Sequence, residues 1–326
     1  MAARRSEVRG ALLPNLSLQR TERSRCSHPA AERSVGPTDA KREGARRRAR
    51  NLRAAGPIIV TDLFPAALAE LLALLLGLSE EDWRKPTACA TWSVKDVALH
   101  LLGDDVGILS RQRDRFSFGV AARNWPELVA RINEVNEHWV RASRRISARL
   151  LCDLLAFTGA QVSAHFASLN PYATGDVVSW AGPNPAPVWL DLAREYTERW
   201  HHQQHIRDAV GKPGLKEPRF FAPVLDTFVR ALPFRYRDIT AEEGAVVAVT
   251  ITGDSGGRWA LRRERQAWNL YTTVPTRPSA EVVIDEEIAW RLFTKGIDRE
   301  RALSTAQLMG DAPLASKALD AVAIIA

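Results

Sequence analysis

The stretch Tyr196-Thr-Glu-Arg-Trp-His-His-Gln-Gln-His205-Ile-Arg-Asp208 belongs to a run without glycine or proline that begins after Pro187 and stops at Gly211 and Pro213, and it reads as one long helix. Side chains four residues apart stack on one helix face with Cβ atoms roughly 5–6 Å apart, so the imidazoles of His201 and His205 are close enough to share one ion. The same phase turns His202 elsewhere. A third imidazole, His100, follows Trp92-Ser-Val-Lys-Asp-Val-Ala-Leu, where Ser93 and Asp96 form a capping-box pattern that starts a helix near residue 94. His100 then falls on the second turn beside Val97, Leu101 and Asp104. His138 and His165 read as ordinary helix residues, the latter a hydrogen-bonded core histidine.

Working outward, the chain has 326 residues with 46% hydrophobic content, enough for a sizeable core and most naturally two domains. Its net charge of +7 suggests nucleic acid until it is split by region. Residues 1–56 hold 14 Lys or Arg against 5 acids, so the remaining chain sums to −2 and has no basic excess to follow a phosphate backbone. The Arg-rich tail, with few aromatics, cannot bury enough apolar surface to offset its ordering entropy, and disorder is the expectation. It reads as upstream sequence translated from a start codon placed too early, with folding signals beginning near Val60.

The Leu-rich stretch from Ala66 to Gly77 contains Glu70 and is shorter than the roughly 20 apolar residues a span needs, so it reads as a core helix. With no other span expected and no secretory signal, the chain is expected in the cytoplasm, off the membrane. Cys26, Cys89 and Cys152 make no disulfide framework; Cys89 and Cys152 read as buried or idle thiols, with a reactive thiol at either as the alternative.

Helices are expected over 62–78, 93–115, 125–145, 147–169 and 187–210, an up-and-down bundle with one extra helix. In the 125–145 helix, Leu128, Val129, Ile132, Val135, Trp139 and Val140 should face the core. The tryptophans read mostly as packing anchors, with walling of the site as a second reading for Trp200 beside His201. After about residue 218 the β-branched and aromatic runs 245–252, 258–261, 267–271 and 280–284 read as strands, with helices over 285–295 and 312–319 and a last strand from Ala321 to Ile325. The expected organisation is a tail (1–56), a metal-binding helical bundle (57–215) and a smaller α+β domain (216–326). No G-x-G-x-x-G, Walker or G-x-S-x-G motif supports nucleotide binding or serine-hydrolase chemistry.

Trp92-Ser-Val-Lys-Asp-Val-Ala-Leu-His100, followed at a distance by His205-Ile-Arg-Asp-Ala-Val-Gly-Lys-Pro213, resembles the mycothiol-dependent maleylpyruvate isomerase family, whose metal-binding bundle is of the DinB-like type. Trp290-Arg-Leu-Phe-Thr-Lys-Gly296 and Gly310-Asp-Ala-Pro-Leu-Ala315 resemble the sterol-carrier-like domain often attached to it. The resemblance implies a mainly α fold, a DinB-like four-helix bundle followed by that smaller α+β domain. It implies a metal held by His100, His201 and His205, although a carboxylate is expected where His201 stands. Asp208, Glu198 and Asp104 are the expected partners that orient the imidazoles.

A divalent ion on three neutral imidazoles, zinc first, keeps a position open and lowers the pKa of a bound thiol or water. The resemblance implies mycothiol or another small thiol as cofactor, a small electrophilic substrate such as an unsaturated acid, and an isomerisation or thiol transfer. Two other classes stand beside this enzyme reading: a carrier holding an apolar ligand in the C-terminal domain with a structural metal, and a regulator whose arm binds nucleic acid. Arg235, Arg237 and Arg258 read as surface ion pairs more than as carboxylate ligands.

Overall fold

The computed structural model describes residues 52–116 and 123–324. The tail reading therefore falls outside the described residues as far as position 51, and so does Cys26. Residues 53–55 do not behave as tail: Ala54 bridges Tyr271, Ala55 N donates to Leu270 O at 3.1 Å, and Thr272 N donates to Arg53 O at 2.9 Å.

The first half is helical. Helices α1 (Leu63–Leu76), α2 (Val94–Ile108), α3 (Trp125–Ser143), α4 (Ala148–Ser168) and α5 (Val188–Val210) match the expected spans within a few residues. Local chemistry accounts for their ends. Ser93 and Asp96 close a capping box on α2, Asn124 and Ser147 cap α3 and α4, and Gly211 stops α5 in the left-handed region at φ 67°. Helix α2 continues into a π-helical turn, Leu109–Arg113. Helices α1, α2, α4 and α5 pack on one another. Their core holds Leu71, Leu75, Val97, Leu101, Leu151, Leu155 and Ile206. A two-stranded ribbon, β1 (Thr174–Val177) with β2 (Pro185–Pro187), links α4 to α5 and is absent from the sequence reading.

Helix α3 is the extra helix, laid on α2. Its expected core face is only partly covered: Val140 is fully buried, whereas Val135 is 40% exposed. The close approach is made at Gly103, where a Cβ would stand 2.6 Å from Trp139 Nε1; glycine there lets the indole donate to Leu99 O at 2.8 Å.

Among the described residues one helix, α4, is long and apolar enough to cross a membrane. That corrects the expectation of no further span-like segment. Its Leu151, Leu155, Val162 and Phe166 are buried against the bundle, and its Thr158 hydroxyl donates to Asp105 at 2.8 Å, which makes it a core helix.

The second half is α+β. Helices α6 (Pro218–Phe228) and α7 (Leu232–Arg235) lead into strands β3 (Val246–Thr252), β4 (Gly257–Glu264), β5 (Ala267–Tyr271) and β6 (Ala280–Asp285). Helices α8 (Glu286–Phe293) and α9 (Arg299–Thr305), strand β7 (Gln307–Gly310) and helix α10 (Ala312–Ser316) follow. The sheet order is β5-β4-β3-β6-β7, with β3 and β6 parallel and the other neighbours antiparallel. The expected last strand is not formed over residues 321–324. Strand β7 already occupies that side of β6, and Ala321 and Ala323 are buried instead, with Ala323 N donating to Phe293 O at 2.9 Å.

The two halves meet in an aromatic slab. Trp200 of α5 stacks on Phe221 at 4.7 Å, meets Trp290 edge-on at 5.4 Å, and donates its indole N–H to Leu215 O at 2.8 Å. Lys216 lies over all three rings and pairs with Glu287. Each aromatic pair contributes about 0.5–1.5 kcal/mol beyond area burial. Trp200 therefore joins the halves, and the expectation that it walls the site gives way.

Candidate metal centre

Helix α5 turns Glu198, His201, His202 and His205 into one stripe: at about 100° per residue the four fall within roughly 100° of its circumference. Opposite stands His100 of α2, positioned by the capping box at the start of that helix. The loop before α2 covers the stripe. Thr87 donates to Trp92 O at 2.9 Å and accepts from Cys89 N at 3.2 Å. The Trp92 indole donates to Glu137 of α3 at 3.0 Å, which sets its ring 5.0 Å from that of His100.

Within this frame His100 Nε2 lies 3.3 Å from Glu198 Oε1, and His202 Nε2 lies 2.9 Å from the same oxygen. The ligand atoms of His100, Glu198 and His202 are all within 4.8 Å of one another, which makes the three a candidate metal group. Cys89, His202 and His205 form a second group by the same measure. Neither group includes His201. Its ring is 4% exposed and its Nδ1 lies 3.0 Å from Thr197 O, the i−4 carbonyl. The sequence reading sent His202 away from His100; the structure puts their rings 4.6 Å apart. It also moves Glu198 from an orienting partner to a candidate ligand, a carboxylate beside two imidazoles.

The other expected partners divide. Asp104 Oδ2 stands 3.4 Å from His100 Nε2 and is buried without a hydrogen bond. Asp208 is exposed and pairs with Arg291 of α8 at 2.9 Å, and among the described residues no hydrogen bond or ion pair joins it to an imidazole. Arg258 pairs with Glu281 and Arg237 with Asp238, as surface charges do.

Electrostatics separate the imidazoles. Burial disfavours a charge on His100, but the carboxylates of Asp104 and Glu198 outweigh it and push the ring up to about 9. Burial, reinforced by neighbouring imidazoles, pushes His202 down to about 3 and His205 down to about 2, and it lowers His201 as well. Glu198 is disfavoured by burial, yet the imidazoles around it, His202 foremost, hold its carboxyl well below the usual range. Burial raises Asp104 to about 7 and the Cys89 thiol to about 11.

The donor set suits a cation. Two imidazole nitrogens aim at one carboxylate oxygen while a buried carboxylate oxygen beside them has no donor, a deficit of positive charge that a divalent ion would satisfy. Two imidazoles and one carboxylate form a common zinc set that leaves a position open.

The next layer is a buried charge ladder. Arg199 pairs with Asp105 at 2.9 Å and with Glu195 at 2.9 Å, and Arg194 pairs with Glu195 at 2.7 Å and Asp191 at 2.6 Å. Of these ties the Arg199–Asp105 pair crosses from α5 to α2 and bears on the direction of the stripe, while the others run along α5.

The sequence reading turned His202 away from the site and gave Cys89 no place beside α5. The i, i+4 spacing was equally present in Glu198 and His202, so the signal existed for one; only the fold brings residue 89 to helix α5.

Residues 64–207 match the family model of the mycothiol maleylpyruvate isomerase N-terminal domain. No curated protein matches the chain. Two solved structures similar to it are the crystal structure of the mycothiol-dependent maleylpyruvate isomerase, at 11% identity, TM-score 0.46, covering 71% of this chain and 86% of that one, and that of a histidine-to-alanine mutant, with the same identity and coverage and a TM-score of 0.45.

Proposed function

We propose that the chain, whose residues 64–207 match the family model of the mycothiol maleylpyruvate isomerase N-terminal domain, is a metal- and thiol-dependent enzyme that isomerises, or transfers a thiol to, a small electrophilic acid. The observation that carries this reading is the convergence of His100 Nε2, Glu198 Oε1 and His202 Nε2 beside the undonated Asp104 Oδ2. Those residues are assigned as the holders of a divalent ion, zinc by donor type. When bound, the ion supplies Lewis acidity that favours the thiolate of a mycothiol-like cofactor, and the thiolate supplies a nucleophile for an unsaturated acid.

The chain's own residues prepare that chemistry. Glu198 offsets part of the ion's charge, leaving the centre cationic toward an anionic thiolate or carboxylate. Asp104, which faces the same Nε2 of His100 as the ion would, is placed to take a proton. Trp92 covers one flank of His100 and limits water there. Arg199 is engaged by Asp105 and Glu195, so it serves the scaffold and is not free to hold a substrate carboxylate.

The test is turnover of maleylpyruvate by purified chain with and without mycothiol. Thiol-dependent isomerisation that a chelator abolishes and zinc restores is the expected result. A chain that binds its ion yet turns over no unsaturated acid with any thiol would refute the enzymatic reading.

A further inference from the structure

His202 presents its two ring nitrogens to two different groups. Nε2 faces Glu198 Oε1 at 2.9 Å, whereas Nδ1 faces Cys89 Sγ at 4.0 Å. The same sulfur lies 3.3 Å from His205 Nδ1. One ion cannot use both nitrogens of one imidazole, because their lone pairs point away from each other in the ring plane. The second group is thus geometrically separate from the first, and the function proposed above does not use it.

We infer that Cys89, His202 and His205 form a second cation site, for a soft or borderline ion such as zinc, with His202 as the ligand shared by both sites. Zinc bonds of about 2.3 Å to sulfur and about 2.05 Å to nitrogen, at a tetrahedral angle, set a sulfur–nitrogen separation near 3.6 Å. The two observed separations, 3.3 and 4.0 Å, bracket it. Thiolate with imidazole is the ligand pair that selects such ions over magnesium or calcium. The sulfur is held for the purpose: Cys89 N donates to Thr87, and Thr87 donates across its loop to Trp92 O. Filling the site releases the Cys89 thiol proton to solvent and, when the first site is also filled, the remaining ring proton of His202. The inference rests on the preceding reading only through the sharing of His202.

The experiment uses the full chain carrying Cys26→Ser and Cys152→Ala, so that Cys89 is the sole thiol, stripped of metal and titrated with cobalt(II) without added thiol. Two ions per chain and a near-ultraviolet thiolate-to-cobalt band are expected. Adding Cys89→Ser should abolish the band and halve the bound cobalt, while His100→Ala should halve the cobalt and keep the band. One ion per chain without the band would overturn the second site and leave the first standing. One ion with a band lost in Cys89→Ser would support the second site and overturn the first. No bound cobalt in a folded chain would overturn both.

Discussion

Glu198 Oε1 accepts two approaches at once, from His202 Nε2 at 2.9 Å and from His100 Nε2 at 3.3 Å, and so fastens helix α5 to helix α2 at the centre of the bundle. The i, i+4 pair proposed for an ion is therefore Glu198 with His202.

Replacing His202 by Ala should remove the bound ion, whereas replacing His201 by Ala should leave about one ion at this group and cost stability instead. Metal content by atomic emission, with thermal melting alongside, separates the two. Loss of the ion in His201→Ala with retention in His202→Ala would return the ligand role to His201.

Protons should compete with the ion at His100. Its metal-free pKa of about 9 lies above the value of about 6.5 expected when unfolded. The stability it contributes to the metal-free chain is therefore fully present below pH 6.5 and lost as pH rises through 9. Coordination needs the neutral ring, so apparent affinity should climb about tenfold per pH unit toward pH 9 for one displaced proton. Calorimetry in two buffers of different ionisation enthalpy checks it; buffer-independent heats near pH 7 would contradict it.

Arg199→Met should destabilise the chain by about 3–5 kcal/mol in denaturant unfolding, since it strands the buried carboxylates of Asp105 and Glu195. Adding Asp105→Asn and Glu195→Gln should recover most of that loss. A single variant as stable as the parent would mean the ladder is not what holds α5.

A chain beginning at residue 57 should fold but melt a few degrees lower than one beginning at residue 52. It loses the backbone bonds of Arg53 and Ala55 to strand β5, each worth about 1 kcal/mol net. Identical melting curves would return residues 52–56 to the tail.

The helical half was legible because its signals are local. Ser93 with Asp96, Asn124 with Pro126, Ser147 and Gly211 each state a helix end through their own chemistry, and the long unbroken run of α5 left no alternative. In the second half, strands β3 to β6 and helix α8 were legible from their own runs, and the remaining elements depended on contacts. Helix α6 contains Pro223, which hides it from a pattern reading, and β7 is a short run of Gln307, Leu308, Met309 and Gly310 made a strand by pairing with β6. The apolar run from Ala321 reads as a strand until the sheet edge it needs is seen to be taken. In the site, residue types and one helix face were readable, but the choice between stripes 60° apart was not, because it is set by where α2 crosses α5. Cys89 enters through a loop path that no spacing rule describes.

The pairing of residues 53–55 with β5 means the chain returns to a segment that precedes the bundle. Excising the sheet as a module would take two cuts, since one of its flanking pieces is encoded ahead of every helix among the described residues. A gene fusion that carried residues 216–326 alone would deliver a sheet with a bare rim open to self-association, whereas recombination that respects the loop keeps that rim covered.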